Sequence, residues 1–262
     1  MAKVEVERRG QVTVLTLNRP EVRNSVDGET AQGIARAIDD FGSDETARVL
    51  VVTGSGDRAF CAGADLKHAG ELFGHDSVQR AGPMGFALLD PGKPSIAAVN
   101  GYCLAGGLEL AAWCDVRIAE EHAEFGVVNR RWGVPLVDGG TQRLPRIVGL
   151  ANALYLIETG AQIDAWQAKA MGLVQEIVPK GRSLARALFL AEHTAGYPWA
   201  SLVHDRANAL AAFHRPLPEG IREERETGIA TLTDPEMAEG LARFTGGDRP
   251  DPPRPPDDPA RD

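Results

Sequence analysis

Five short apolar runs, each ended by glycine, proline or charge and separated by helical patterns, constrain the fold of this chain most. "QVTVLTLNRP" is β-branched, alternates, and stops at Pro20. "ARVLVVTGSG", "KPSIAAVNG", "CDVRIAEE" and "GLVQEIVP" are short apolar runs, as expected of strands buried in a sheet. Between them lie helical patterns. Asp27 caps a helix whose apolar face is Ala31, Ile34, Ile38 and Phe41. Further helices are expected over 104–113, 140–148, 151–159 and 165–171, the last behind Asp164 as cap with Gly172 past its end. Strands alternating with helices predict an α/β fold. From Ser183 onward only helical periodicity appears. The terminal "GGDRPDPPRPPDDPARD" has too little apolar content to offset the entropy of ordering and is expected to be a disordered tail.

With 262 residues, 43% of them hydrophobic, the chain can bury one sizeable core, with room for an appendage. A net charge of -9 argues against nucleic acid and anionic membrane as main partners, although a local basic cluster could still hold an anionic ligand. Cys61, Cys103 and Cys114 have no metal-ligand spacing and read as free thiols of a reducing cytoplasm. The histidines are scattered, so no metal is expected. "MAKVEVERRG" has no apolar signal-peptide core. The most apolar stretch, "PSIAAVNGYCLAGGLELAAWC", is interrupted by Asn100, Glu109 and glycines, and reads as buried strand, turn and helix rather than a membrane span.

Three stretches could carry chemistry. In "VVTGSGDRAFCAGADLK", Gly54, Gly56 and Ala59 match a dinucleotide fingerprint only formally, because no helix can start at the small, glycine-broken segment that follows. The "AGAD" there is more telling, since small residues let backbone N–H groups approach a ligand. In "NGYCLAGGLEL", Gly106 and Gly107 open a helix, where N–H groups lack partners and the dipole favours negative charge. Glu109 in that first turn either serves the dipole or serves catalysis; its apolar neighbours Leu108, Leu110, Ala111 and Ala112 imply burial, which favours catalysis. "FGVVNRRWGVPLVDGG" offers Asn129, which cannot give up a proton, and Asp138, which can. Asp138 is either a turn residue holding local N–H groups or a second proton carrier. Asp115 and Arg117 are expected to pair beyond the helix end, Trp113 and Trp132 to pack, and Arg130 and Arg131 to face solvent or another subunit.

"LNRPEVRNS", "GDRAFCAGADLK", "KPSIAAVNGYCLAGGLELAAWCDVRIA", "FGVVNRRWGVP", "GGTQRLPRIVG" and "AKAMGLVQEIVP" together resemble the enoyl-CoA hydratase/isomerase (crotonase) superfamily, in its order and spacing. The resemblance implies a crotonase-type spiral of repeated ββα units forming two sheets in residues 1–182, a helical oligomerisation region in 183–247, and a tail at 248–262. It implies a homotrimer or dimer of trimers, an acyl-CoA thioester substrate, and no cofactor beyond the coenzyme A that the substrate carries. The family's oxyanion hole falls on the N–H groups of Ala64 and Gly106. Its adenine and pantetheine contacts fall on Ala62, Gly63, Asp65 and Leu66, with Arg23 and Lys67 near the phosphates; Ser25, Gly107 and Asn129 complete the implied binding surface.

Family hydratases set two glutamates on one water: the first matches Glu109, while the second falls on Asn129. Asp138 stands where several family isomerases carry an acidic residue. The expected reaction is hydration of a 2-enoyl-CoA or a shift of its double bond. The alternatives are a CoA-thioester binding protein with weak catalysis, or a hydrolase or decarboxylase using the same oxyanion hole. Acyl chain length would be set by segment 67–90 and the C-terminal helices. Gly246 and Gly247 interrupt the final helix where the family often places Lys-Arg, leaving Arg249 as the nearby substitute.

Overall fold

The computed structural model describes residues 2–73 and 80–254. β1 (Val4–Arg9) and β2 (Val12–Leu17) form an antiparallel hairpin. β2 then starts a parallel series through β3 (Val49–Gly54), β5 (Ser95–Val99), β7 (Val116–Glu120) and β10 (Glu176–Val178), giving the order β1-β2-β3-β5-β7-β10. A second sheet of three-residue strands runs β4 (Ala59–Cys61), β6 (Tyr102–Leu104), β8 (Glu124–Gly126), β9 (Gln162–Asp164), parallel except for β9. The repeat is therefore spatial. A strand in the large sheet is followed by a strand in the small sheet, then by a helix: β3, β4 and α2 (Ala69–Phe73); β5, β6 and α3 (Gly106–Trp113); β7, β8 and, past a 3-10 turn, α4 (Gly140–Thr159).

The period-two pattern of the large sheet separates two cores. Leu15, Leu17, Leu50, Val52, Ala97 and Val99 face the small sheet, α3, α4 and α1 (Gly28–Ser43). Val12, Val14, Val49, Val51, Ile96 and Ala98 face α6 (Ser183–Ala195). That helix presents Ala187, Ala191 and Ala195, fully buried small residues that bring it close to the strands. Asp27 caps α1 by accepting from Thr30 N at 2.9 Å. Asp164 forms a reciprocal capping box with Gln167 at the start of α5 (Ala165–Ala170).

Several expectations are refined. The helix expected over 104–113 begins at Gly106, because Tyr102–Leu104 pairs as β6 and the chain reverses at Ala105, with φ 52 and ψ -123. The helices expected at 140–148 and 151–159 are two pieces of α4, broken at Gly149, where φ is 76. Asp115 and Arg117 do not pair through their side chains. The Arg117 guanidinium is buried and donates to the carbonyls of Leu173, Cys114 and Ala111, while the Asp115 carboxylate accepts from Arg206 at 2.9 and 3.1 Å. Four facing carbonyls at a helix end and strand edge satisfy the guanidinium fork better than one carboxylate, Asp115 O supplying the fourth. Trp113 packs as expected, edge-on to Phe86 with its indole N–H on the Leu89 carbonyl. Trp132 does not: it is 72% exposed.

After α6 come α7 (Trp199–Ala211), α8 (Leu217–Thr231) and α9 (Pro235–Thr245), none of which buries a residue. Of the expected tail, residues 248–254 carry no helix or strand, and residues 255–262 lie outside the described residues. No helix among the described residues is long and apolar enough to cross a membrane.

Candidate active site

The site is built where the ends of β4 and β6 lie side by side. After β4 the chain runs as 62–65 against segment 23–26: Ala62 N donates to the Arg23 carbonyl (3.0 Å), Val26 N to Gly63 (2.9 Å) and Asp65 N to Val26 (2.8 Å). Arg23 and Asn24 both sit at positive φ. Asn24 stabilises that bend by accepting from Arg19 N and donating to the carbonyls of Ser55 and Ala59. Arg19 bridges the carboxylates of Asp27 and Asp65 at 3.2 and 3.0 Å. The turn is thus held from all sides, yet among the described residues the Ala64 N–H has no acceptor. Nor does the N–H of Gly106, at the start of α3. Gly63, at φ 95, keeps that N–H uncovered, since a Cβ there would lie 2.9 Å from Gly106 N.

Glu109 follows in the first turn of α3 and is 3% exposed. Its Oε1 accepts from the N–H groups of Asp138 (3.0 Å) and Gly140 (2.8 Å). Burial pushes its carboxyl up to about 7, against the pull of those N–H donors and with the help of the nearby Asp138 charge. Asp138 is equally buried and accepts from Met84 N at 3.1 Å. Its carboxyl is raised to about 6 by burial, opposed by the Met84 N–H and the Arg143 charge. Arg143 donates to the Asp138 carbonyl (3.0 Å) and the Ala87 carbonyl (2.8 Å), tying together the two loops that carry Asp138 and Met84.

These groups open onto one cleft of about 600 Å³, its mouth included. Ala64, Gly106, Glu109, Asn129 and Asp138 line it, with Ala62, Leu66, Met84, Val134 and Trp132 among its apolar walls. Asn129 donates through Nδ2 to the Val134 carbonyl at 2.7 Å, and its buried Oδ1 has no partner among the described residues. Two uncovered N–H groups can polarise a carbonyl oxygen, and two carboxyls that titrate near neutrality can move protons beside it.

Of the residues singled out in the sequence, Ala62, Ala64, Leu66, Gly106, Glu109, Asn129 and Asp138 meet at the cleft. Gly63 stands behind it. Gly107 faces away, because a Cβ there would overlap the Cys61 carbonyl of β4; its smallness seats the helix. Ser25 is buried, its carbonyl accepting from Arg19 at 2.6 Å, and the Asp65 carboxylate is engaged by Arg19 and His68. Arg23 lies over the Tyr102 ring at 5.2 Å, and Lys67 is exposed on the adjoining 3-10 turn. The readings that singled out these residues missed Met84, which acts through a backbone N–H that leaves no mark in a sequence, and Arg143, whose "GGTQRLP" context gave no hint of its two acceptors. Among the described residues no cluster of three or more His, Cys, Asp or Glu could hold a metal ion. Cys61, Cys103 and Cys114 are buried and free, the thiols of Cys61 and Cys114 pushed up to about 12 by burial.

Comparison with known proteins places this geometry in context. Residues 7–251 match the family model described as enoyl-CoA hydratase/isomerase. A probable mitochondrial enoyl-CoA hydratase of Dictyostelium discoideum is 36% identical over 91% of this chain and 86% of its own length. The 2,3-dehydroadipyl-CoA hydratase of Escherichia coli is 34% identical over 96% of this chain and 98% of its own length. The crystal structure of an enoyl-CoA hydratase from Mycobacterium tuberculosis superposes with a TM-score of 0.89 at 32% identity, covering 96% of this chain and 98% of that one.

Proposed function

Because the chain belongs to the enoyl-CoA hydratase/isomerase family, we propose that its cleft forms the enolate of an enoyl-CoA thioester and moves protons on and off it through Glu109 and Asp138. The observation that carries this reading is two buried carboxyls, raised to about 7 and about 6, in one cleft with two uncovered N–H groups. A proton α to a thioester is too weakly acidic for a carboxylate unless the developing oxyanion is stabilised. The Ala64 and Gly106 N–H groups would do so, each such donor lowering the barrier by about 3–4 kcal/mol. Glu109, populated in both protonation states at neutral pH, can take a proton and return it. Asp138 supplies a second proton carrier, differently placed, that can serve a double-bond shift, which needs only one carboxylate to move a proton between two carbons on the same face.

That reaction is favoured over hydration, because Asn129 stands where a second hydratase glutamate is expected and cannot transfer a proton. Hydration remains a second reading, supported by the unpartnered Oδ1 of Asn129, which can hold a water. Following crotonyl-CoA and a 3-enoyl-CoA separately tests the choice. The shift should outrun hydration and fall by ~10²–10⁴ in Asp138→Asn. Hydration at full rate with no shift would reverse the assignment. Calorimetry with acetyl-CoA in EDTA should show binding without any added cofactor, and no heat at millimolar ligand would remove the reading altogether.

The coenzyme portion would leave the cleft past Ala62 and Leu66, toward Arg23 and Lys67. The exposed apolar residues of α8 and α9, Leu217, Ile221, Ile229 and Phe244 among them, support assembly into a trimer or dimer of trimers. The buried free cysteines suit a reducing cytoplasm.

A further inference from the structure

The segment that ends in Asp138 supplies one wall of the cleft, and the turn at its start is held shut from both sides. Val128–Trp132 is a 3-10 helix closed by Gly133 in the left-handed region, at φ 69. Val134 N donates to the Asn129 carbonyl at 3.3 Å, and Asn129 Nδ2 donates to the Val134 carbonyl at 2.7 Å. This reciprocal pair fixes a turn that carries Trp132. The indole is 72% exposed, and it nevertheless lines the cleft. Val137, next to Asp138 on the same wall, is 45% exposed and lines it too. An indole left in water forgoes the burial of a large flat apolar surface. The braced turn keeps it at the rim, where only a molecule in the cleft or a neighbouring surface would cover it.

We infer that Trp132 is a specificity residue that selects acyl thioesters carrying a flat apolar ring at or beyond carbon 3, the ring lying on the indole. The inference rests on the enoyl-CoA reading, which seats the thioester oxygen on the Ala64 and Gly106 N–H groups and sends the coenzyme past Ala62 and Leu66. The acyl group then runs past Glu109 and Asp138, along the wall that carries Val137 and Trp132. A linear alkyl chain on this open rim keeps one side in water and loses rotor freedom along its length. A ring is rigid before it binds and places a whole face on the indole.

Calorimetry with butyryl-CoA, hexanoyl-CoA and 3-phenylpropionyl-CoA tests this on the unmodified chain, since saturated thioesters have no double bond to hydrate or shift. The phenyl thioester should bind about 10-fold more tightly than butyryl-CoA, and more tightly than hexanoyl-CoA. Trp132→Ala should erase that ratio, and Trp132→Phe, which keeps a flat ring, should retain most of it. Fluorescence gives an independent reading that does not need the alanine variant. The phenyl thioester should shift the emission of the unmodified chain, which has four tryptophans, and the shift should be missing in Trp132→Phe. A phenyl thioester that binds no better than hexanoyl-CoA overturns the inference, as does a preference that survives Trp132→Ala or an emission unchanged at saturation. Equal weakening of all three ligands in Trp132→Ala assigns the indole to the coenzyme portion and overturns it too. A smaller particle in light scattering for Trp132→Ala, with the ratio intact, assigns the ring to a second copy of the chain. Butyryl-CoA binding without any ring preference defeats this inference alone, whereas failure of every CoA thioester to bind defeats the enoyl-CoA reading beneath it.

Discussion

At the scale of single residues the site depends on buried charge. The folded-state carboxyls of Glu109 and Asp138 lie at about 7 and about 6, above their ordinary values of 4.5 and 3.8. Between those limits the folded protein binds more protons than the unfolded chain. The associated stability is full below about pH 4 and is lost as pH rises through about 6 and 7. Wild type should therefore lose more melting temperature between pH 4 and 8 than Asp138→Asn or Glu109→Gln, each of which has one raised carboxyl fewer to ionise; parallel curves would refute the raised values. Glu109→Gln should also lower turnover by ~10²–10⁴ while thioester binding survives, because the amide keeps the shape. If Glu109→Gln and Asp138→Asn both turn over normally, the two side chains are structural. Arg143 lowers both carboxyls. Arg143→Gln, which keeps N–H donors for the Asp138 and Ala87 carbonyls, should move the acid limb of the rate profile to higher pH. An unmoved limb with a uniformly lower rate would make Arg143 only a brace.

At the scale of elements, the position of α3 against β4 and the turn into α4 decides whether the polar groups meet. A Cβ at Gly107 would strike the Cys61 carbonyl, which is backbone and cannot swing aside. Gly107→Ala should therefore cost ~1–3 kcal/mol or more of stability, read as a lower urea midpoint. A Cβ at Gly140 would lie 2.9 Å from Glu109 Cγ and 3.0 Å from its Oε1. Gly140→Ala should leave the fold close to wild type and depress turnover, since the side chain it displaces is the one that moves protons. A large stability loss with unchanged turnover per folded molecule would contradict that division. Both glycines were visible in the sequence as helix openers; that one faces Glu109 and the other the Cys61 carbonyl of β4 was not, because each neighbour comes from a distant segment of the chain.

At the scale of the whole molecule, α7–α9 contain no fully buried residue within one chain and expose large apolar side chains, as the proposed assembly would use. Light scattering should show a trimer or hexamer, unchanged by truncation after Gly247, which removes the bond from Arg186 to the Arg254 carbonyl and the contacts of Asp248 and Arg249 with the end of α9. A monomeric full-length chain would count against the assembly. The α/β class, five of the six strands of the large sheet, α1 with its Asp27 cap, and the helical end past Ser183 followed from the sequence alone, because apolar periodicity and caps are local signals; β1, mostly charged and exposed, did not. Glu109 and Gly106 stood out from their place at a helix start, and the resemblance to the family pointed to the N–H groups of Ala64 and Gly106 as the oxyanion hole. The small sheet was not legible: its strands are three residues long and leave too little pattern to distinguish from turns. Nor did the sequence decide that Asp138 would be buried on the Met84 N–H, that Arg117 and Asp115 would take separate partners, or that Asn129 would keep Oδ1 bare. Those outcomes depend on which backbone donors and acceptors arrive from segments tens of residues away, and only the packed chain brings them within hydrogen-bond reach.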